Sequence, residues 1–142
     1  MLNNFDGGVS RSVALRPQQL TGSSDVNGVT IDKRALDTDY QFAKFVFQLG
    51  AKGGNVAPTS LIATFRAQHS DASGSGWADI TDTEIAEASV ALADENTQGE
   101  IGIHLRGTKR YVRLVGLPAF TGGTAPAVLA AAELILGEPR VI

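Results

Sequence analysis

Residues 60–80 read SLIATFRAQHSDASGSGWADI. The first half alternates. Leu61, Ala63, Phe65 and Ala67 fall on one face and Thr64, Arg66 and Gln68 on the other, with Ile62 the exception. A period of two marks a strand with one buried face. Residues 70–76 are then drawn only from Ser, Asp, Ala and Gly, and the chain resumes at its single tryptophan, Trp77. Turn residues between two apolar stretches make a hairpin. Ser73, Gly74 and Gly76 supply its tip, and Trp77 anchors its base by folding back on the sheet edge. The alternative for Trp77 is an exposed platform for sugar stacking, although tryptophan is more often largely buried.

The strand pattern extends in both directions from this hairpin. Asn27-Gly28 is a turn signal followed by Val29 and Ile31 on one face. Residues 39–54, DYQFAKFVFQLGAKGG, place Phe45, Phe47 and Leu49 on one face and Phe42 and Val46 on the other. Apolar groups on both faces describe a strand covered on both sides or capped by a partner. Residues 99–107 align Ile101, Ile103 and Leu105. Residues 108–118, TKRYVRLVGLP, form another strand ended by Pro118, with GTKR (107–110) as a tight hairpin connection between the two. Residues 82–98 have the alanines and glutamates of a helix, yet Val90 and Leu92 alternate, so a loop with a short strand is expected. The tail from residue 125 is read as a closing strand despite its alanines, for consistency with the rest of the chain. The expected fold is all-β: one antiparallel β-sandwich or jelly roll of about eight strands over residues 29–142. Residues 1–28, rich in Asn, Gly, Ser and Gln, are expected to form an N-terminal arm, extended or ordered by a partner.

The totals restrict function. With 142 residues the chain makes one domain of ordinary size. A formal net charge of −3 gives no general attraction to nucleic acid. The absence of cysteine excludes disulfides, thiolate metal sites and Cys nucleophiles. No run of roughly 18–20 apolar residues suits a membrane helix, and MLNNFDGGVSRSV lacks the apolar core of a secretion signal, so synthesis in a cytoplasm is expected.

Catalytic constellations are equally scarce. His69 and His104 stand in neither HxH nor HExxH spacing, and read as surface histidines. Ser70, His69 and Asp71 are adjacent on an extended chain, so their side chains point to opposite sides and cannot form a relay. The glycine pairs at 7–8, 53–54 and 122–123 match no phosphate-loop spacing. The acidic stretches DTD (37–39) and DITDTE (79–84) lack EF-hand spacing. No catalytic, cofactor or metal site is therefore expected. A basic cluster, Arg106, Lys109, Arg110 and Arg113, stands beside Tyr111. It suits an acidic protein surface at least as well as a nucleic acid, and a solvated strand face is its plainest reading.

Two segments together, AQHSDASGSGWADI (67–80) and LRGTKRYVRLVGLP (105–118), followed by an apolar strand ending LGEPR (136–140), resemble small structural proteins of tailed bacteriophages and prophages. These include capsid decoration, or cement, proteins of jelly-roll type. The resemblance spans residues 40–140 and departs from the pattern in the longer stretch between Ile80 and Gly99. It implies a non-enzymatic virion protein on the capsid exterior, made in a bacterial host's cytoplasm. Such a protein binds the major capsid protein across subunit seams and stabilises the head, commonly as a homotrimer. On that reading Arg106, Lys109, Arg110 and Arg113 dock on the capsid, and the arm with Tyr40, Phe42, Phe45 and Phe47 makes subunit contacts. Neither nucleic acid nor membrane is an expected partner.

Three other roles compete. A base or adaptor for a head spike or fibre would bind capsid on one side and a different chain on the other. A carbohydrate-binding sandwich would need several exposed aromatics on one face, and aromatics are only 6% of the chain. An enzyme would need paired carboxylates at a working separation, for which Asp79, Asp82 and Glu84 are the nearest material.

Overall fold

The computed structural model describes residues 9–36 and 40–139. Ten antiparallel strands run in the order β1 (Val9–Thr21), β2 (Val26–Asn27), β3 (Ile31–Asp32), β4 (Tyr40–Val56), β5 (Ser60–Ser70), β6 (Ala78–Asp79), β7 (Val90–Ala93), β8 (Gln98–His104), β9 (Tyr111–Thr121) and β10 (Thr124–Pro139). One sheet has the order β1-β10-β4-β8; the other has β2-β9-β5-β6, with β3 also on β9 and β7 also on β5. β2 and β3 lie end to end along β9, and β6 and β7 lie end to end along β5. Each pair is one interrupted strand, so the framework is an eight-strand jelly roll. Consecutive strands alternate between the sheets except at the β5–β6 hairpin.

The alternation in the sequence sets the core. Phe45, Phe47 and Leu49 of β4 meet Leu61, Ala63 and Phe65 of β5, joined by Ile101, Ile103, Leu114, Leu134 and Leu136, all buried. The alanine-rich tail is a strand because its neighbours demand one: β10 is central in its sheet, between β1 and β4. Its small side chains Ala130 and Ala132 face the core. Residues 82–98 contain the expected short strand, β7, within a loop.

Three expectations need correction. GTKR is not a hairpin: β8 pairs with β4 in one sheet and β9 with β5 in the other. The connection is a 3₁₀ turn, Leu105–Gly107, that carries the chain across the sandwich. Leu105 is buried there, and the Lys33 ammonium donates to the Leu105 carbonyl at 2.8 Å. Pro118 does not end β9, which continues to Thr121. β2 and β3 accompany β9 only as far as Gly116, so the proline lies where the strand has β5 on one side alone. Third, residues 9–21 of the expected arm are ordered by the chain itself, as strand β1 paired with β10. Burial of Ala14, Leu15 and Leu20 supplies the reason. Residues 1–8 of that arm lie outside the described residues.

Both edges of the β1-β10-β4-β8 sheet are tied to the opposite sheet. At the β1 edge, the Gly28 amide donates to the Leu114 carbonyl of β9, and the Val29 amide donates to the Ala14 carbonyl of β1, each at 2.7 Å. At the β8 edge, the loop between β6 and β7 leaves its own sheet. There the Glu87 amide donates to the Gly102 carbonyl at 2.9 Å and the His104 amide to the Ile85 carbonyl at 2.6 Å. The interrupted strands thus close the flanks of the sandwich and leave less open backbone for edge pairing.

Candidate functional site

The two outer faces differ in chemistry. On the β9–β5–β6 face, polar groups form a connected chain. Arg66 holds Asp25 through two hydrogen bonds, 3.1 and 2.7 Å, and donates from Nε to Asp79 at 2.8 Å. Gln68 Nε2 donates to the same Asp79 oxygen at 2.8 Å, and its Oε1 accepts from Arg113 Nε at 2.9 Å. The Arg113 guanidinium lies 4.2 Å from the centre of the Trp77 ring. Asp25 is held below its ordinary carboxylate range by the hydrogen bonds from Arg66. Asp79 is held down first by Gln68 and then by Arg66. Burial, and then the neighbouring Arg66, make Arg113 easier to deprotonate than an ordinary arginine. Val115, flanked in register by Arg66 and Asn27, is fully buried. Among the residues of this network, Trp77 and Arg113 stand out in the sequence as binding candidates, and Asp79 as a carboxylate that an enzyme reading would need. Asp25 and Arg66 are 41 residues apart, with no local pattern to join them.

The hairpin tip has its own organiser. Ser70 is buried, donates its hydroxyl to the Ser75 carbonyl and accepts from the Ala72 amide at 3.1 Å. Trp77 follows directly, half-buried beneath Arg113. Beside it, His69 Nδ1 accepts the Lys109 amide at 3.1 Å. Burial, then the nearby Lys109 charge, hold His69 below its ordinary pKa.

The four cations expected to form a docking patch are not gathered into one. Arg110 is committed to Asp32 by two hydrogen bonds, 3.0 and 2.9 Å, and lies over the Tyr111 ring. Arg113 belongs to the network above. Lys109 approaches Asp71 at 3.8 Å. Arg106, exposed on the 3₁₀ turn, has no ion-pair partner among the described residues.

The expected contact aromatics also separate. Phe45 and Phe47 are fully buried between the sheets and unavailable to a partner, which corrects that assignment. Phe42 points outward and is 44% exposed. Tyr40 enters through its backbone, paired with Pro139, and its side chain lies outside the described residues.

The outer face of the β1-β10-β4-β8 sheet carries more of the large exposed apolar side chains, against Ile62 of β5 on the other face. It exposes Val13, Phe42 and Leu129 among charged residues. Several of those charges are paired: Lys44 with Glu100 at 3.0 Å and Arg11 with Glu133 at 3.8 Å. At the β8 end lies a cleft of about 480 Å³. Phe42, Ile135 and Gly102 contribute to its floor, and residues 83–87 wall it. The His104 ring rests against Phe42, centroids 4.8 Å apart. Among the described residues, no group of three His, Asp or Glu is placed to hold a metal ion.

No family model matches this chain, and no curated protein matches it. Among solved structures, it is similar to a chain of the "Structure of infectious bursal disease virus Gx strain" at 16% identity, with a TM-score of 0.43. The likeness covers 90% of this chain and 31% of that one, so this chain spans under a third of its length.

Proposed function

We propose that this chain is a non-enzymatic virion structural protein, a decoration protein that binds across capsid subunits and stabilises a phage head. The observation that carries the reading is the contrast between the two outer faces of one closed sandwich. One face consumes its polar groups in a network that stiffens the scaffold. The other keeps Val13, Phe42 and Leu129 open to a partner. A scaffold with tied flanks and one apolar-and-charged face suits docking on a larger surface. The sequence resemblance to phage head proteins points the same way. Several copies joined as an oligomer gain effective concentration on a repeating shell.

Docking uses the β1-β10-β4-β8 face rather than the basic segment, because Arg110 and Arg113 are already engaged. The test is co-sedimentation of purified protein with undecorated heads of the phage that encodes it, at low and high salt. The expected result is saturation near one copy per capsid subunit, with attachment largely retained at high salt. Saturation at only a few copies per head would favour a spike or fibre base. Absence of binding would overturn the proposal.

A further inference from the structure

The cleft at the β8 end of the open face has a chemistry of its own. Its floor is apolar and aromatic, with Ile135 half-buried and Phe42 44% exposed. Its cation, Lys44, is neutralised by Glu100 at 3.0 Å. Its wall carries Glu84 and Glu87, both exposed, and neither has an ion-pair partner among the described residues. Glu87 Oε1 accepts the Gly102 amide at 2.9 Å, which fixes that carboxylate at the rim. Glu84 is placed by its own amide, which donates to Asp82 Oδ1 at 2.9 Å. The wall itself is pinned to β8 by backbone hydrogen bonds, so the cleft is formed before anything enters it.

We infer that this cleft takes a bulky apolar side chain of a partner protein that carries Lys or Arg beside it, the two unpaired glutamates meeting the cation. At about 480 Å³ the cleft is of the size of ligand-binding clefts, with room for a large side chain laid into it. Anchor residues at protein interfaces typically fill such preformed pockets. Complementary charge at the rim then sets which partner is accepted. The inference deepens the docking reading and rests on it for the partner being a capsid subunit; the cleft's preference for a basic apolar segment is separate. It also reverses the polarity expected from the Arg106–Arg113 stretch, since the partner surface supplies the cations.

The test uses the full chain and two blocked peptides of equal apolar content, RLFR and ELFE, titrated with nuclear magnetic resonance detection. The expected result is that RLFR shifts the amides of Ile85, Gly102 and His104, with ELFE binding at least five-fold more weakly. Glu84→Lys, an exposed loop substitution whose fold is checked in the same spectra, should cancel or invert that preference. Ile135→Lys should abolish binding of both peptides. Equal binding of the two peptides, or shifts confined to other parts of the chain, would overturn the inference, as would no shift at all. The same Glu84→Lys protein in the head co-sedimentation separates the two readings. Heads binding wild type and variant equally removes the cleft from docking and leaves the decoration role. Peptide selectivity without head binding removes the decoration role and leaves the cleft.

Discussion

The rings of Phe47 and Phe65 stack across the centre of the sandwich, one from each sheet, with centroids 4.4 Å apart and planes inclined by 21°. Glycines make room for both. A Cβ on Gly99 would stand 2.9 Å from the Phe47 ring, and one on Gly116 would stand 3.0 Å from the Phe65 ring. Phe65→Ala should therefore cost about 3–5 kcal/mol, the range for emptying a buried aromatic site. Urea unfolding measures it, and a loss under about 1 kcal/mol would mean that the pair is not central to the core.

Gly28 should tolerate no side chain. A Cβ there would collide with the Ala14 carbonyl oxygen and stand 2.6 Å from that of Leu114, the acceptor of its own amide. Gly28→Ala is expected to destabilise by at least about 2 kcal/mol, because backbone has to move on two strands. Gly53→Ala is the matched control, since nothing lies within 4 Å of that Cβ. Its effect should stay within about 0.5 kcal/mol. Thermal unfolding of the two variants side by side decides the point.

His69 should make stability depend on pH near neutrality. Its pKa in the fold lies below the ordinary 6.5, chiefly through burial. Between the folded value and 6.5 the unfolded chain binds more protons. The contribution is thus full above pH 6.5 and lost as pH falls through the folded value. Protonation also takes the Nδ1 lone pair from the Lys109 amide. Asn at position 69 retains an acceptor without the titration. The variant His69→Asn should show a flatter melting temperature between pH 7.5 and 5.5 than wild type; parallel profiles would rule out His69 as the source.

A second loss of stability belongs to strong acid. Asp25 and Asp79 both have pKa values below the ordinary 3.8, through hydrogen bonds from Arg66 and from Gln68 with Arg66, respectively. Their contribution is present above pH 3.8 and disappears as pH drops through the folded values. Arg66→Met removes the cation common to both, and should flatten the pH dependence of urea midpoints below pH 4. An unchanged acid limb would show that the network does not bear on folding.

Trp77 should report on Arg113. With the guanidinium 4.2 Å from the ring centre, Arg113→Ala exposes the indole and orphans Gln68 Oε1. Emission is expected to move to longer wavelength, with stability falling by about 1 kcal/mol. An unmoved emission maximum would place the indole's environment under other control.

Most of the strand framework is legible in the sequence because burial follows a two-residue period that survives locally. Leu61 to Ala67 and Ile101 to Leu105 show it cleanly. The tail is harder: alanine favours helix, and only its central position between β1 and β4 makes it extended. The false hairpin at GTKR has a physical origin. Short polar connections look alike whether the chain returns in the same sheet or crosses to the other; the burial of Leu105 follows the alternation, but the 3₁₀ turn that carries the chain to the other sheet leaves no mark in it. The basic cluster misleads for a related reason. Arg110 finds Asp32 across 78 positions, and no pattern along the chain encodes that meeting. The cleft is hidden likewise, since its floor and wall come from strands and a loop far apart in sequence.

The first described strand lies against the last, Val9 opposite Gly137 and Leu20 opposite Val128. A ribosome therefore releases β1 long before its partner exists. Ala14, Leu15 and Leu20, buried in the finished protein, remain uncovered until β10 has been made. Distant pairings of this kind make for slow folding and a period of exposure to aggregation. Closure of this sheet therefore waits for β10, and the interval before it is when β1 stands unpaired.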